Sequence, residues 1–86
     1  MFESEPMRLA EALEMMNTAR GFVTEGEEHL RHQRKVVLRL ERRGRDARRA
    51  RELLGHIENM LEKYLDHEER VSNQVILIVM GYAGSA

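Results

Sequence analysis

The sequence contains one clear turn, Arg42-Arg43-Gly44-Arg45-Asp46-Ala47-Arg48-Arg49, between two long segments in which apolar residues recur with heptad spacing. Gly44 stands where a glycine commonly ends a helix, because glycine adopts the left-handed conformation without a steric penalty. Asp46 is suited to cap the helix that follows. A turn this short makes its two helices antiparallel neighbours. The turn therefore predicts a helical hairpin with its tip at Gly44.

The first arm keeps an unbroken alternation of three- and four-residue steps, typical of a helix that packs along its whole length. Its predicted seam is Leu9, Ala12, Met16, Ala19, Val23, Gly26, Leu30, Gln33, Val37 and Leu40. Gly21 and Gly26 each cost roughly 1 kcal/mol in a helix interior, and Thr24 with Glu27 fits a capping-box pattern. A break near residues 21–24 is therefore the alternative to one continuous helix, which the unbroken register favours.

The second arm is equally regular, with a predicted seam of Ala50, Leu53, Ile57, Met60, Tyr64, His67, Val71, Gln74 and Ile78. A second apolar row, Leu54, Leu61 and Leu65, runs beside that seam. One seam is enough for a two-helix hairpin, so the second row predicts a further apolar partner. Pairing the seams outward from the turn places Gly26 against Tyr64, where a large ring needs a small neighbour.

These patterns predict one all-α domain over residues 1–86, an antiparallel, coiled-coil-like two-helix hairpin. Its expected parts are a first helix over 4–43, a turn at 44–46, a second helix over 47–80 and a frayed tail over 81–86. Residues 75–80 also fit an edge strand, because most of them are β-branched.

Self-association is the expected support for so small a chain. With 86 residues and no cysteine, it has neither disulfides nor thiolate metal sites to stabilise it. We expect two hairpins to pair as a homodimeric four-helix bundle. The predicted self-association residues are Leu54, Leu61, Leu65, Phe22 and Val36.

Charge is distributed unevenly, although the net charge is −1. Residues 29–51 carry ten basic and two acidic side chains, whereas residues 1–28 and 52–86 carry net charges of −5 and −4. The predicted hairpin therefore has a positive tip and a negative open end. The tip arginines that could bind an anionic partner such as nucleic acid are Arg42, Arg43, Arg45, Arg48 and Arg49. No aromatic residues are interleaved for base stacking, so a solvated tip, or one that contacts the acidic end of a second hairpin, is favoured.

Histidines supply the candidate metal ligands. His29 and His32 lie one turn apart, and in the predicted pairing His32 faces Glu58 while Glu62 lies near His29. Neither the Glu-x-x-His pattern of di-iron bundles nor His-Glu-x-x-His occurs. His67 falls on the predicted seam, where a partly buried histidine bonded to a neighbour is expected. No nucleophile–base pair, phosphate-binding glycine loop or acidic dyad is present. We therefore predict no enzyme activity and no cofactor.

The longest apolar run, residues 75–80, is far shorter than the roughly 20 residues that a membrane span needs. The N-terminus lacks the pattern of a secretory signal. The sequence therefore predicts a cytoplasmic protein with no membrane partner. Its predicted function is a non-enzymatic, self-associating protein-interaction module. A nucleic-acid-associated protein that uses the basic tip and a metal-binding helical bundle are the alternatives.

Four runs carry a family likeness: Gly26-Glu27-Glu28-His29-Leu30-Arg31-His32-Gln33-Arg34, Leu40-Glu41-Arg42-Arg43-Gly44-Arg45-Asp46, Ala50-Arg51-Glu52-Leu53-Leu54, and residues 67–70. In these runs, over roughly residues 20–72, the chain resembles small uncharacterised helical proteins of alphaproteobacteria, a family of unknown function. The resemblance implies a helical hairpin of bacterial, cytoplasmic origin and carries no known activity. Family members end soon after the position of Val71, so the apolar tail departs from their pattern.

Overall fold

Two long α-helices form the hairpin in the computed structural model, which describes the backbone of residues 4–85 and the side chains of residues 8–81. Helix α1 spans Ser4–Arg42 and helix α2 spans Arg48–Ser85. Over residues 4–85 there is no strand, so the predicted antiparallel helical hairpin is confirmed. The helix continues to Ser85, beyond the predicted end at residue 80, and residue 86 lies outside the described part.

The hairpin is one helix pair thick, with extents of 65 × 15 × 15 Å. Each helix therefore has a single neighbour, and every side chain that points away from the seam faces solvent. No helix in the described part of the chain is long and apolar enough to cross a membrane.

Helix α1 is continuous through its two glycines. The hydroxyl of Thr24 donates a hydrogen bond to the carbonyl oxygen of Arg20, at 3.0 Å, one turn earlier in the same helix. Thr24 therefore does not cap a new helix, and the alternative of a break near residues 21–24 is not observed.

The turn forms through hydrogen bonds that complete the end of α1 and begin α2. Gly44 has a φ of 64°, and the Arg45 amide donates to the carbonyl of Leu40 at 2.9 Å while the Gly44 amide donates to that of Glu41 at 3.0 Å. This pair of bonds is the Schellman motif of a helix C-terminus. The Asp46 carboxylate then accepts a hydrogen bond from the Arg48 amide at 3.0 Å. Glycine at the helix end and aspartate as the cap both occur where the sequence predicts them.

The α1 seam lies where the heptad pattern predicts it. Its buried members are Ala12, Ala19, Val23, Gly26, Gln33 and Val37. The other four, Leu9, Met16, Leu30 and Leu40, are half-buried. None of the ten is exposed, so the α1 pattern alone identifies the face that packs on α2.

The α2 seam differs from the prediction at every second position. One half of it, Ala50, Ile57, Tyr64, Val71 and Ile78, is as predicted. The other half lies one residue later than predicted, at Ala47, Leu54, Leu61, Glu68 and Val75. The predicted residues Leu53, Met60, His67 and Gln74 are exposed.

Each row of α2 has two apolar residues in mid-helix and one polar residue further on, Glu68 in the observed row and His67 in the predicted one, so the residues at the row ends separate the two. The observed row places Ala47 and Val75 in the seam, whereas the predicted row would place Asp46 at the turn and Gln74 at the open end. Burying a charged or amide side chain without hydrogen-bond partners costs free energy. The row predicted as a second stripe, with Leu54 and Leu61, is therefore the seam itself.

Gly26 is buried where the helices approach closely. A Cβ atom at this position would lie 3.1 Å from Cδ1 of Leu61 and 3.7 Å from Cδ2 of Tyr64. The ring of Phe22 stacks on the ring of Tyr64, with centroids 5.3 Å apart. The predicted placement of Gly26 against Tyr64 is confirmed, and the ring occupies the space that a larger side chain would need.

Candidate functional site

Two of the arginines near the tip are held by carboxylates. The Arg48 guanidinium contacts the Asp46 carboxylate, with Nη2 2.8 Å from Oδ2, and Arg51 of α2 reaches Glu41 of α1 at 2.7 Å. In the described part of the chain no carboxylate lies within 4 Å of the remaining tip residues, Arg42, Arg43, Arg45 and Arg49, which are all exposed. The predicted arginines therefore share the tip but not one surface. Arg42 and Arg43 line a groove on α1, whereas Arg48 and Arg49 line one on α2 together with Asp46 and Glu52.

The pKa of Asp46 lies below its usual value of 3.8 because its carboxylate accepts hydrogen bonds from Arg48. The bond from the Arg48 side chain has the larger effect, and the bond from the Arg48 backbone amide the smaller one. A carboxyl with a lowered pKa in the folded state stabilises the fold above its unfolded-state pKa, and this contribution is lost as the pH falls through the lowered value.

We expect Asp46→Ala to lower the melting temperature by about 5 °C at neutral pH. The difference from wild type should shrink as the pH falls through the usual carboxyl pKa and on through the lowered one, as followed by circular dichroism. A difference that does not change with pH would contradict this role for the carboxylate.

A basic groove lies on the outer surface of α1 beside the tip. It is lined by Lys35, Leu38, Arg39, Arg42 and Arg43, with no acidic side chain among them. Leu38 is half exposed. The groove extends the basic surface along α1 from the turn, and it includes two residues, Lys35 and Arg39, that were not among the predicted tip arginines.

The hairpin has two flanks of different polarity. The charged flank carries the Arg51–Glu41 ion pair and four further charged residues, Arg20, Glu27, Arg34 and Glu58. It also exposes three apolar side chains, Leu13, Leu65 and Val79. The apolar flank, on the opposite side of the seam, consists of Met15, Phe22, Val36, Leu53 and Met60. Four of these five side chains are between 45% and 50% exposed, and Val36 is half-buried.

The predicted self-association residues do not lie on one surface. Leu61 is 9% exposed and packs in the seam against Gly26, so it is unavailable to a second chain, and this part of the prediction is wrong. Leu54 is a half-buried seam residue. Phe22 and Val36 belong to the apolar flank, whereas Leu65 is exposed on the charged flank.

The sequence analysis did not place Met15, Leu53 and Met60 on an exposed surface. Leu53 and Met60 were assigned to the seam, and that error of one residue hid the apolar flank. Comparing the polar ends of the two α2 rows would have separated Leu53 and Met60 from the seam.

The histidines share one side of the hairpin without forming a metal site. All four, His29, His32, His56 and His67, are exposed on the apolar flank or in the row next to it. Glu58 lies on the charged flank, so the predicted set of His29, His32 and Glu58 is split between opposite sides. Within residues 8–81, no group of three histidine, aspartate or glutamate side chains is placed to hold a metal ion. His67 is exposed beside Glu11, Glu14, Met15 and Thr18, and its predicted place on the seam is wrong.

The C-terminal end of α2 exposes apolar side chains around its circumference. Leu77 and Met80 are 68% and 62% exposed, and Ile76 and Val79 are about half exposed. This segment is helical, not the edge strand kept as an alternative. Because α1 covers one side of α2, the remaining apolar surface lies in water.

Gln33 is the one buried polar residue among the described side chains. It is 7% exposed, and its Nε2 donates a hydrogen bond to the carbonyl oxygen of Ala50 across the helix pair at 3.0 Å. The bond links the two arms near the tip and favours one alignment between them.

We expect Gln33→Ala to lower the free energy of unfolding by about 2 kcal/mol, because it removes this hydrogen bond and leaves a cavity. Gln33→Leu fills the seam with an apolar side chain of similar size and should stay within about 1 kcal/mol of wild type. Urea denaturation of both variants measures the difference. Equal destabilisation by both substitutions would show that the amide itself is required.

No protein-family model, curated protein or solved structure matches this chain. The resemblance to small alphaproteobacterial proteins stays a prediction. Function is therefore inferred from the flanks, the grooves and the charges of the hairpin itself.

Proposed function

We propose that this chain is a non-enzymatic, self-associating interaction module that pairs through its apolar flank into a dimeric four-helix bundle. The observation that carries the proposal is the exposure of Met15, Phe22, Leu53 and Met60, each close to one half, on one side of the hairpin. Exposed apolar side chains that cluster on one side of a soluble protein mark interaction sites.

The accessible area supports the same proposal. A folded monomer of 10.1 kDa should expose about 5,300 Å², whereas this chain exposes 7056 Å². The excess of roughly 1,800 Å² is larger than the roughly 800 Å² that each partner contributes to a standard interface. A dimer can therefore be formed from surface that a more compact fold would already have buried.

Sedimentation velocity at low micromolar concentration tests the proposal with a matched pair of variants. Met60→Glu places a charge on the apolar flank, and Leu65→Glu places one on the charged flank, at a residue of similar exposure in the same helix. We expect a wild-type dimer that Met60→Glu dissociates and Leu65→Glu preserves. A well-folded wild-type monomer at these concentrations would refute self-association, and dissociation by Leu65→Glu alone would move the interface to the other flank.

The basic groove favours one second candidate, a nucleic-acid-associated protein. Lys35, Arg39, Arg42 and Arg43 converge on one groove with no acidic residue lining it, and such clusters bind phosphates with strong salt dependence. Fluorescence anisotropy with a labelled DNA duplex of about 20 base pairs at about 50 mM salt is the test. We expect the triple variant of Arg39, Arg42 and Arg43 to alanine to lose binding and Arg48→Ala, whose cation is paired, to retain most of it. Absence of binding, or binding that survives the triple variant, would exclude this candidate.

A further inference from the structure

The outer surface of α1 carries opposite charges beside apolar side chains at its two ends. At the open end, Glu11 and Glu14 line a groove with Met15, Thr18 and His67. Near the tip, the basic groove surrounds Leu38 with four cationic side chains. Each groove thus combines an apolar wall with charge of one sign, and the two signs are complementary.

We propose that the occupant of the apolar flank is a second copy of this chain in the antiparallel orientation, so that the tip of each hairpin lies beside the open end of the other. This inference rests on the proposed self-association and adds the orientation of the pair. In this orientation the edge of each acidic groove next to the apolar flank, at Glu11, lies beside the corresponding edge of the other copy's basic groove, at Arg39.

Electrostatics decides between the two orientations. In a parallel pair, two tips of net charge +8 meet at one end and two acidic ends meet at the other. Packed helices lie roughly 8–10 Å apart, which is close to the screening length of about 8 Å at physiological salt. Exposed charges at that separation are partly screened, but like charges still repel in the parallel pair, whereas the antiparallel pair brings opposite charges together.

The exposed apolar end of α2 adjoins the apolar flank, because Leu77 lines a groove with Met15. A partner on that flank therefore covers part of the α2 end in either orientation. A parallel pair would also bring the two apolar ends together, so a measurement of the tip-to-tip distance is needed beside the electrostatic argument.

The antiparallel pair makes a residue-level prediction for α1. A two-fold axis across the helices places α1 beside its own copy, running in the opposite direction, and sets Glu11 of one chain near Arg39 of the other. Within one chain these residues are 28 positions apart on a continuous helix, about 42 Å along its axis. Any energetic coupling between Glu11 and Arg39 must therefore act between chains.

A charge-exchange cycle tests that coupling by sedimentation equilibrium. We expect Glu11→Arg and Arg39→Glu each to raise the dimer dissociation constant about fivefold or more, because every dimer contains the altered contact twice. The double variant should return to within about threefold of wild type. As a control, Glu11→Arg combined with Arg34→Glu, on the charged flank, should not recover. Additive losses in the first double variant would overturn the antiparallel contact.

A distance measurement tests the orientation independently. The chain has no cysteine, so Arg45→Cys gives a single spin-label site at the tip. We expect a label-to-label distance near the 65 Å length of the hairpin. A distance of about 20–30 Å, a few helix diameters, would show a parallel dimer and overturn the orientation while leaving self-association intact. A monomeric wild-type protein in the sedimentation experiment would instead refute the proposed function and this inference together.

Discussion

Replacing Gly26 with leucine is expected to lower the free energy of unfolding by about 3 kcal/mol, because the added side chain has no room between the helices. Even the first added carbon would lie 3.1 Å from Cδ1 of Leu61, and the remaining atoms of a leucine would displace Leu61 or Tyr64. Urea denaturation monitored by circular dichroism gives the value.

Gly21→Leu is the matched control. It makes the same substitution in the same helix, at an exposed position where an added Cβ atom would meet no other atom within 4 Å. We expect it to stabilise the hairpin by roughly 1 kcal/mol through helix propensity alone. If both substitutions stabilise the chain, Gly26 does not lie at a close helix–helix contact.

Leu61→Ala is the second large expected effect, a loss of about 3 kcal/mol, because it removes a buried side chain and leaves a cavity in the seam. Met60→Ala, one position earlier in the same helix, should cost less than about 1 kcal/mol, since Met60 is 50% exposed. Both variants should be compared at a concentration where sedimentation shows a monomer, so that only the hairpin contributes.

This pair of variants distinguishes the two possible seams of α2. The seam predicted from the sequence contains Met60, and the observed seam contains Leu61. A larger loss for Met60→Ala would support the predicted row and would place the apolar flank elsewhere.

The architecture could be predicted from local signals in the sequence. Gly44 and Asp46 mark the turn through backbone conformation and capping, which depend on neighbouring residues alone. The α1 seam was equally clear, because its ten members recur in one unbroken register, whereas the neighbouring row of Met15, Phe22 and Val36 is interrupted by His29. Continuity of α1 through Gly21 followed from the same unbroken register.

The candidate surfaces were harder to predict, because α2 offers two apolar rows. Leu53 and Leu54, like Met60 and Leu61, are interchangeable by hydrophobicity, and only the polarity of the residues at the row ends separates them. Because the wrong row of α2 was assigned to the seam, buried and exposed residues were exchanged. Leu61 was predicted to be exposed and Met60 to be buried. Side-chain ion pairs such as Arg51–Glu41 depend on how α2 is rotated and aligned against α1. They could not be predicted until the structure had shown that alignment.

The single thickness of the hairpin has a consequence for how it opens. Contacts across the pair join residues ever further apart in sequence, from the 17-residue separation of Gln33 and Ala50 near the tip to the stacked rings of Phe22 and Tyr64 at mid-length. Over residues 4–85 no third element connects the two helices. The helices can therefore separate progressively, beginning at the chain ends and proceeding towards Gly44. Closing the shortest loops first is also entropically easiest.

Backbone amides in α2 should therefore exchange hydrogen more slowly around Ile57 than around Val75, although both residues lie in the seam. Hydrogen-exchange mass spectrometry resolves the two regions, and uniform protection along α2 would show that the hairpin opens as one unit. Because the helices separate first at the open end, a partner that binds there stabilises the whole hairpin against unfolding.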